Sequence, residues 1–104
     1  MPNATRTIDV TPADLESAGV RIRPADGPLR ILVRYEIDEL TGQNAVGYYV
    51  EAITGGRWRR VSDGLADDAE EAEEHIRRIE ALAMRLDAGL PAWIGEFDAR
   101  EDGP

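Results

Sequence analysis

Cysteine and lysine are both absent from this chain, histidine occurs once and serine twice, and no apolar run approaches the length of a membrane span. Without cysteine there are no disulfides, thiolate metal sites or cysteine nucleophiles. One histidine excludes a multi-histidine metal site within a single chain, and neither Ser17 nor Ser62 stands in a nucleophile motif. No phosphate-cradling glycine loop occurs either; Gly55-Gly56 reads more simply as a turn. The opening MPNATRTIDV lacks the basic-then-apolar layout of a signal peptide, so a cytoplasmic location is expected.

What is present is arginine and acid. Residues 1–62 hold eight arginines and eight carboxylates, whereas residues 63–104 hold four and thirteen, so the whole net charge of −9 lies in the second part. An acidic chain is poorly suited to general nucleic-acid binding, which draws its affinity from phosphate contacts, and better suited to a basic partner. With 104 residues and 42% hydrophobic content, one domain with a real core is expected.

The clearest pattern runs from Asp67 to Leu86. Ala69, Ala72, Ile76, Ile79, Ala83 and Leu86 recur at steps of three and four, with Leu82 widening the stripe, which predicts an amphipathic helix. Its outer face carries Glu70, Glu71, Glu73 and Glu74, with Glu73–Arg77 and Glu74–Arg78 spaced i,i+4. Asp67 and Glu70 form a carboxylate capping box at its start, and Gly89, Leu90 and Pro91 are expected to end it.

Before it, Thr11-Pro12-Ala13-Asp14 predicts a short helix over Pro12 to Ala18, stopped by Gly19, and Ile8 and Val10 suggest a brief edge strand. Strict alternation from Leu29 to Ile37 and from Val46 to Ala52 predicts two strands, paired so that Ile37 faces Val46 and Tyr35 faces Tyr48. A third strand follows Gly55-Gly56. A two-residue turn there would send Val61 inward; a three-residue loop with a bulge would turn Trp58 inward, and the bulge is preferred because Trp58 has more area to bury. The expected fold is therefore α+β: a three-stranded antiparallel sheet in β-β-β-α order, one long helix on one face and a short N-terminal helix. Residues 1–28 form an N-terminal extension, 29–90 the core and 91–104 an aromatic, acidic tail that folds back.

YYVEAITGGRWRRV before DAEEAEEHIRRIEA loosely resembles the arm-binding domains of tyrosine integrases, which lay a three-stranded sheet in the DNA major groove. GYYVEA followed by SDGLADDAEEAEEHI loosely resembles the HicB-type antitoxins, which dock on a small toxin. Each likeness spans residues 46 to 82 or so. Integrase domains are basic, and the HicB proline-glycine-cysteine segment is replaced by Ile53 to Arg60, so the chain is assigned to neither.

His75 lies at the border of the helix stripe, where partial burial beside Ile79 and Leu82 is expected; Ala72 occupies the position where a Glu-x-x-His metal motif needs an acid. No catalytic, cofactor or metal residues are assigned. The functional expectation is a small acidic, non-enzymatic interaction module of the inhibitor, antitoxin or nucleic-acid-mimic kind. Its contacts to a basic partner, such as a nuclease, toxin or nucleic-acid-binding protein, would be Glu70, Glu71, Glu73 and Glu74 and, in the tail, Trp93 and Phe97. A homodimer is compatible with this reading. The alternative is DNA binding through the sheet arginines Arg30, Arg34 and Arg60.

Overall fold

The computed structural model describes residues 4–37 and 40–101. It is an α+β arrangement of four strands and three helices: β1 (Ala4–Val10), α1 (Pro12–Ser17), β2 (Leu29–Ile37), β3 (Asn44–Thr54), β4 (Arg57–Arg60), α2 (Ala69–Leu86) and α3 (Leu90–Glu101). The sheet is antiparallel throughout, in the order β1-β2-β3-β4. The expected three-stranded sheet is thus corrected to four strands. β1, whose inward Ile8 and Val10 were the visible part of its signal, pairs along its whole length with β2.

One face of the sheet is covered. Ile8, Val10, Leu29, Ile31, Val33, Tyr48, Val50, Ala52 and Val61 meet Ile79, Leu82 and Ala83 of α2, with Leu15, Val20 and Leu90 closing the ends. α1 begins as its sequence indicates, with Thr11 and Asp14 forming a reciprocal capping box. Gly19 follows at φ +71, a conformation that glycine adopts without steric cost.

The β2–β3 register differs from expectation by two residues: Tyr35 faces Val46, Val33 faces Tyr48 and Ile31 faces Val50. A slip of two keeps every side chain on its own face, so apolar alternation cannot detect it. The outer face discriminates instead. In the observed register Arg30 stands opposite Glu51 and pairs with it at 2.9 Å, whereas the expected register would have set it opposite Ile53.

The β3–β4 hairpin is also corrected. Ile53 faces Trp58 and Thr54 faces Arg57 across a two-residue turn, with Gly55 and Gly56 at φ +61 and +78. Two successive positive φ values define the turn whose twist suits a hairpin, and glycine at both positions favours it over a bulge. Val61 therefore points inward and Trp58 outward, where the guanidinium of Arg30 lies 4.0 Å from its ring.

α2 is present but rotated and begins later than expected. Asp68, not Asp67, is the N-cap and accepts the Glu71 N–H, while Glu71 reaches back to the Asp67 N–H. Its buried residues are His75, Ile79, Leu82 and Ala83; Ile76 is 45% exposed and Leu86 38%. Pro91 does not close the chain's helical part. Proline is accepted in a first helical turn, where no N–H is needed, and it lies at the start of α3. Trp93 and Ile94 of α3 pack on the core, and Phe97 stacks on Tyr35 with ring centroids 5.0 Å apart.

Glycine substitutions separate backbone cost from crowding. A Cβ on Gly55, Gly56 or Gly95 would meet nothing within 4 Å. Gly55→Ala and Gly56→Ala should each lower unfolding free energy in urea by about 1 kcal/mol through the left-handed backbone. Gly95→Ala, inside a helix, should raise it by about 0.5–1 kcal/mol.

Candidate interaction surfaces

The acidic helix face forms as expected, though much of it is already engaged. Glu71 binds Arg21 at 2.8 Å, Arg77 lies 3.5 Å from Glu73 and 3.2 Å from Glu74, and Arg78 lies 3.5 Å from Glu74. Exposed pairs of this kind contribute about 0–1 kcal/mol and are screened by salt, so they remain exchangeable. Glu70 has no ion-pair partner among the described residues. Asp68, Glu70, Glu71 and Glu74 converge with Arg77 on a shallow depression of about 330 Å³. No acid or histidine cluster suited to a metal ion occurs among the described residues.

The sheet face opposite the helices carries Arg30, Arg34 and Arg60, and each faces a carboxylate. Arg30 pairs with Glu51, Arg34 Nε lies 3.3 Å from Glu36, and Arg60 lies 3.7 Å from Asp63. The Arg34–Glu36 contact is close enough for an ion pair but is not aligned as a hydrogen bond, so this Nε–H has no hydrogen-bond partner among the described residues. Two of the three also lie over aromatic rings, Arg30 over Trp58 and Arg60 over Tyr49, the latter at 3.7 Å. Gly47 allows the second stack, because a Cβ there would come within 2.6 Å of the Tyr49 hydroxyl. This face is closed by its own long side chains. The tail residues are likewise occupied: Trp93 and Phe97 are half-buried and meet each other edge to face.

A third surface was missed by sequence reasoning. Between β3 and α2 lies a cleft of about 240 Å³ whose walls include Tyr48, Leu65, Ala72, His75, Ile76 and Ile79. The segment after α1 is tied to residues of its walls, among them His75 and Asp63. Arg23 donates its backbone N–H to Val61 O, and its guanidinium binds the carbonyls of Arg60 and Asp63. The backbone N–H of Arg21 donates to His75 Nε2 at 3.0 Å. No periodicity announces this. The nearest signals are Ile76, an apolar residue left outside once the helix is rotated, and a histidine at the border of a stripe.

His75 is buried, with 6% of its surface exposed, and this desolvation, followed by the nearby charge of Arg21, lowers its pKa below the usual 6.5. Glu71 acts in the opposite sense. Since Nε2 accepts the Arg21 N–H, the ring proton belongs on Nδ1. Tyr48 is pushed up to about 12 by burial and then by the nearby negative charge of Glu80.

Comparison with protein-family models, curated proteins and solved structures gave no match to this chain.

A depressed histidine pKa means that below about pH 6.5 the unfolded chain binds a proton that the fold resists. Stability should therefore be fully present above that pH and decline as pH falls through it. His75→Gln keeps an acceptor for the Arg21 N–H and removes the titration. Urea unfolding between about pH 7 and pH 5.5 should show a shallower pH slope in this variant than in the wild type.

Proposed function

We propose that the chain is a non-enzymatic protein-interaction module that binds a basic protein through the outer face of α2. The observation that carries this reading is the convergence of Asp68, Glu70, Glu71 and Glu74 on one depression of the helical layer, against Arg77. The carboxylates there are exposed or half-exposed, and the pairs they make are of the weak surface kind. A cationic surface can displace those pairs without uncovering a buried charge. If the partner's cationic surface is itself a nucleic-acid site, occupying it would make the chain an inhibitor.

The arginine face supports DNA binding less well. Phosphates would have to compete with Glu51, Glu36 and Asp63 for the guanidinium groups and lift Arg30 and Arg60 from their rings. The Arg30–Glu51 pair is the most protected, with side-chain exposures of 24% and 10%, so breaking it strands a largely buried carboxylate.

Affinity capture with the intact chain tests the reading. A basic protein should be recovered at low salt and should be lost with Glu70, Glu73 and Glu74 changed together to glutamine. That variant spares Glu71, which holds the Asp67 N–H and Arg21. Undiminished recovery would contradict the reading. Retention on DNA at about 50 mM salt that Arg34→Ala abolishes would favour the arginine face instead.

A further inference from the structure

Among the described residues, only half of β3 is paired on the side where β4 lies. β4 faces Glu51 to Thr54, and one further bond runs from the Val61 N–H to Val50 O. There the ladder stops. The Val61 carbonyl, which would take the Val50 N–H in a continuing ladder, instead accepts from Arg23, and Ser62 Oγ receives the Val50 N–H at 3.0 Å. In an antiparallel strand the N–H and C=O of one residue point to the same side, alternating along the chain. Since Val50 points away from β2, so do Tyr48 and Val46, and no strand among the described residues stands opposite them. The chain leaves the sheet at Ser62 and returns as α2, and the cleft bounded by Tyr48, Ala72, Ile76 and Ile79, with Asp63 to Ala66 along its loop side, lies beside the unpaired edge.

Building on the function proposed above, we propose that Asn44 to Tyr48 of β3 is a docking edge that takes an extended, basic segment of the partner as an added strand, with one apolar side chain of that segment seated in the cleft. Unpaired backbone groups on a sheet edge are a template for strand addition, in which main-chain bonds supply affinity and a pocket for alternate side chains supplies specificity. The cleft is lined mainly by apolar groups, and the half-exposed Ile76 at its rim gains cover when it is filled. Asp63 stands on its loop side; Glu73 and Glu80 flank Ile76 along the helix at spacings of three and four. That acidic border selects a segment with arginine or lysine beside its apolar residue. It also disfavours a second copy of this chain, since each copy brings a net charge of −9 and the same acidic rim.

The test begins by selecting short random peptides on the intact chain. A selected peptide is then compared with a copy methylated on the backbone nitrogens of alternate residues, which keeps the side chains but blocks strand pairing. The proposal expects selected peptides to place an apolar residue between basic ones and to slow amide exchange at Val46 and Tyr48 by about tenfold or more. The methylated copy should bind about tenfold more weakly, as should the peptide to Ile76→Glu, a change at a solvent-facing position. The proposal is overturned if no peptide is selected, if Val46 and Tyr48 stay unprotected, or if the methylated copy binds equally well. It is also overturned if those amides become protected in the free chain as its concentration rises, which would assign the edge to a second copy. Binding lost in the Glu70, Glu73 and Glu74 glutamine variant, with neither amide protected, would leave the acidic-face function standing and remove only the docking edge. Tight edge binding indifferent to that variant would remove the basic partner from both.

Discussion

The structure depends on how the last strand is made to leave the sheet. Val61 and Ser62 bring this about together. The Val61 N–H completes one bond to Val50, the Val61 carbonyl turns to Arg23, and the Ser62 hydroxyl satisfies the Val50 N–H that would otherwise be buried without a partner. A buried donor left unsatisfied costs about 1–3 kcal/mol, so this hydroxyl is what permits the ladder to end inside the fold. Everything downstream follows from the exit. The chain crosses to the helical layer, α2 returns over the sheet, and the first half of β3 keeps an open edge.

The same exit explains the rotation of α2. Residues 19–23 run between the end of β4 and the helix, tied by Arg23 to Val61 on one side and by Arg21 to His75 on the other, while Arg78 donates to the Gly19 carbonyl. Turning His75 inward to accept that N–H carries Ile76 outward. The helix exchanges burial of an isoleucine for satisfaction of a part-buried backbone donor. The apolar wall of the cleft is the consequence.

Much of this was legible in the residues. An amphipathic helix ending at Leu86, the capped turn at Thr11, the inward residues Leu29 to Tyr35 of β2 and Tyr48 to Ala52 of β3, and the i,i+4 pairs of Glu73 and Glu74 all follow from local spacing and form as expected, though the start and the buried face of the helix do not. The errors share a physical origin. The β2–β3 register hung on Arg30 and Glu51, a polar pair that apolar alternation does not weigh. Trp58 was assigned to the core by area, yet Arg30 covers it from the outside. Pro91 marks both a stop and a start, and only the packing of Trp93 and Ile94 decides between them. Of the nominated contact residues, Glu70, Glu71 and Glu74 do converge, but the cleft beside them arises from long-range backbone bonds of Arg21 and Arg23 that have no local signature.

Residue-resolved hydrogen exchange on the free chain reads the open edge and the exit in a single experiment. Gly47, Tyr49 and Glu51 face β2, and Val50 is held by Ser62, so their amides should exchange slowly. Val46 and Tyr48, interleaved with them, should exchange fast, giving an alternating pattern that ends at Val50. Uniform protection from Val46 to Glu51 would contradict the open edge and the exit at Ser62 on which it depends.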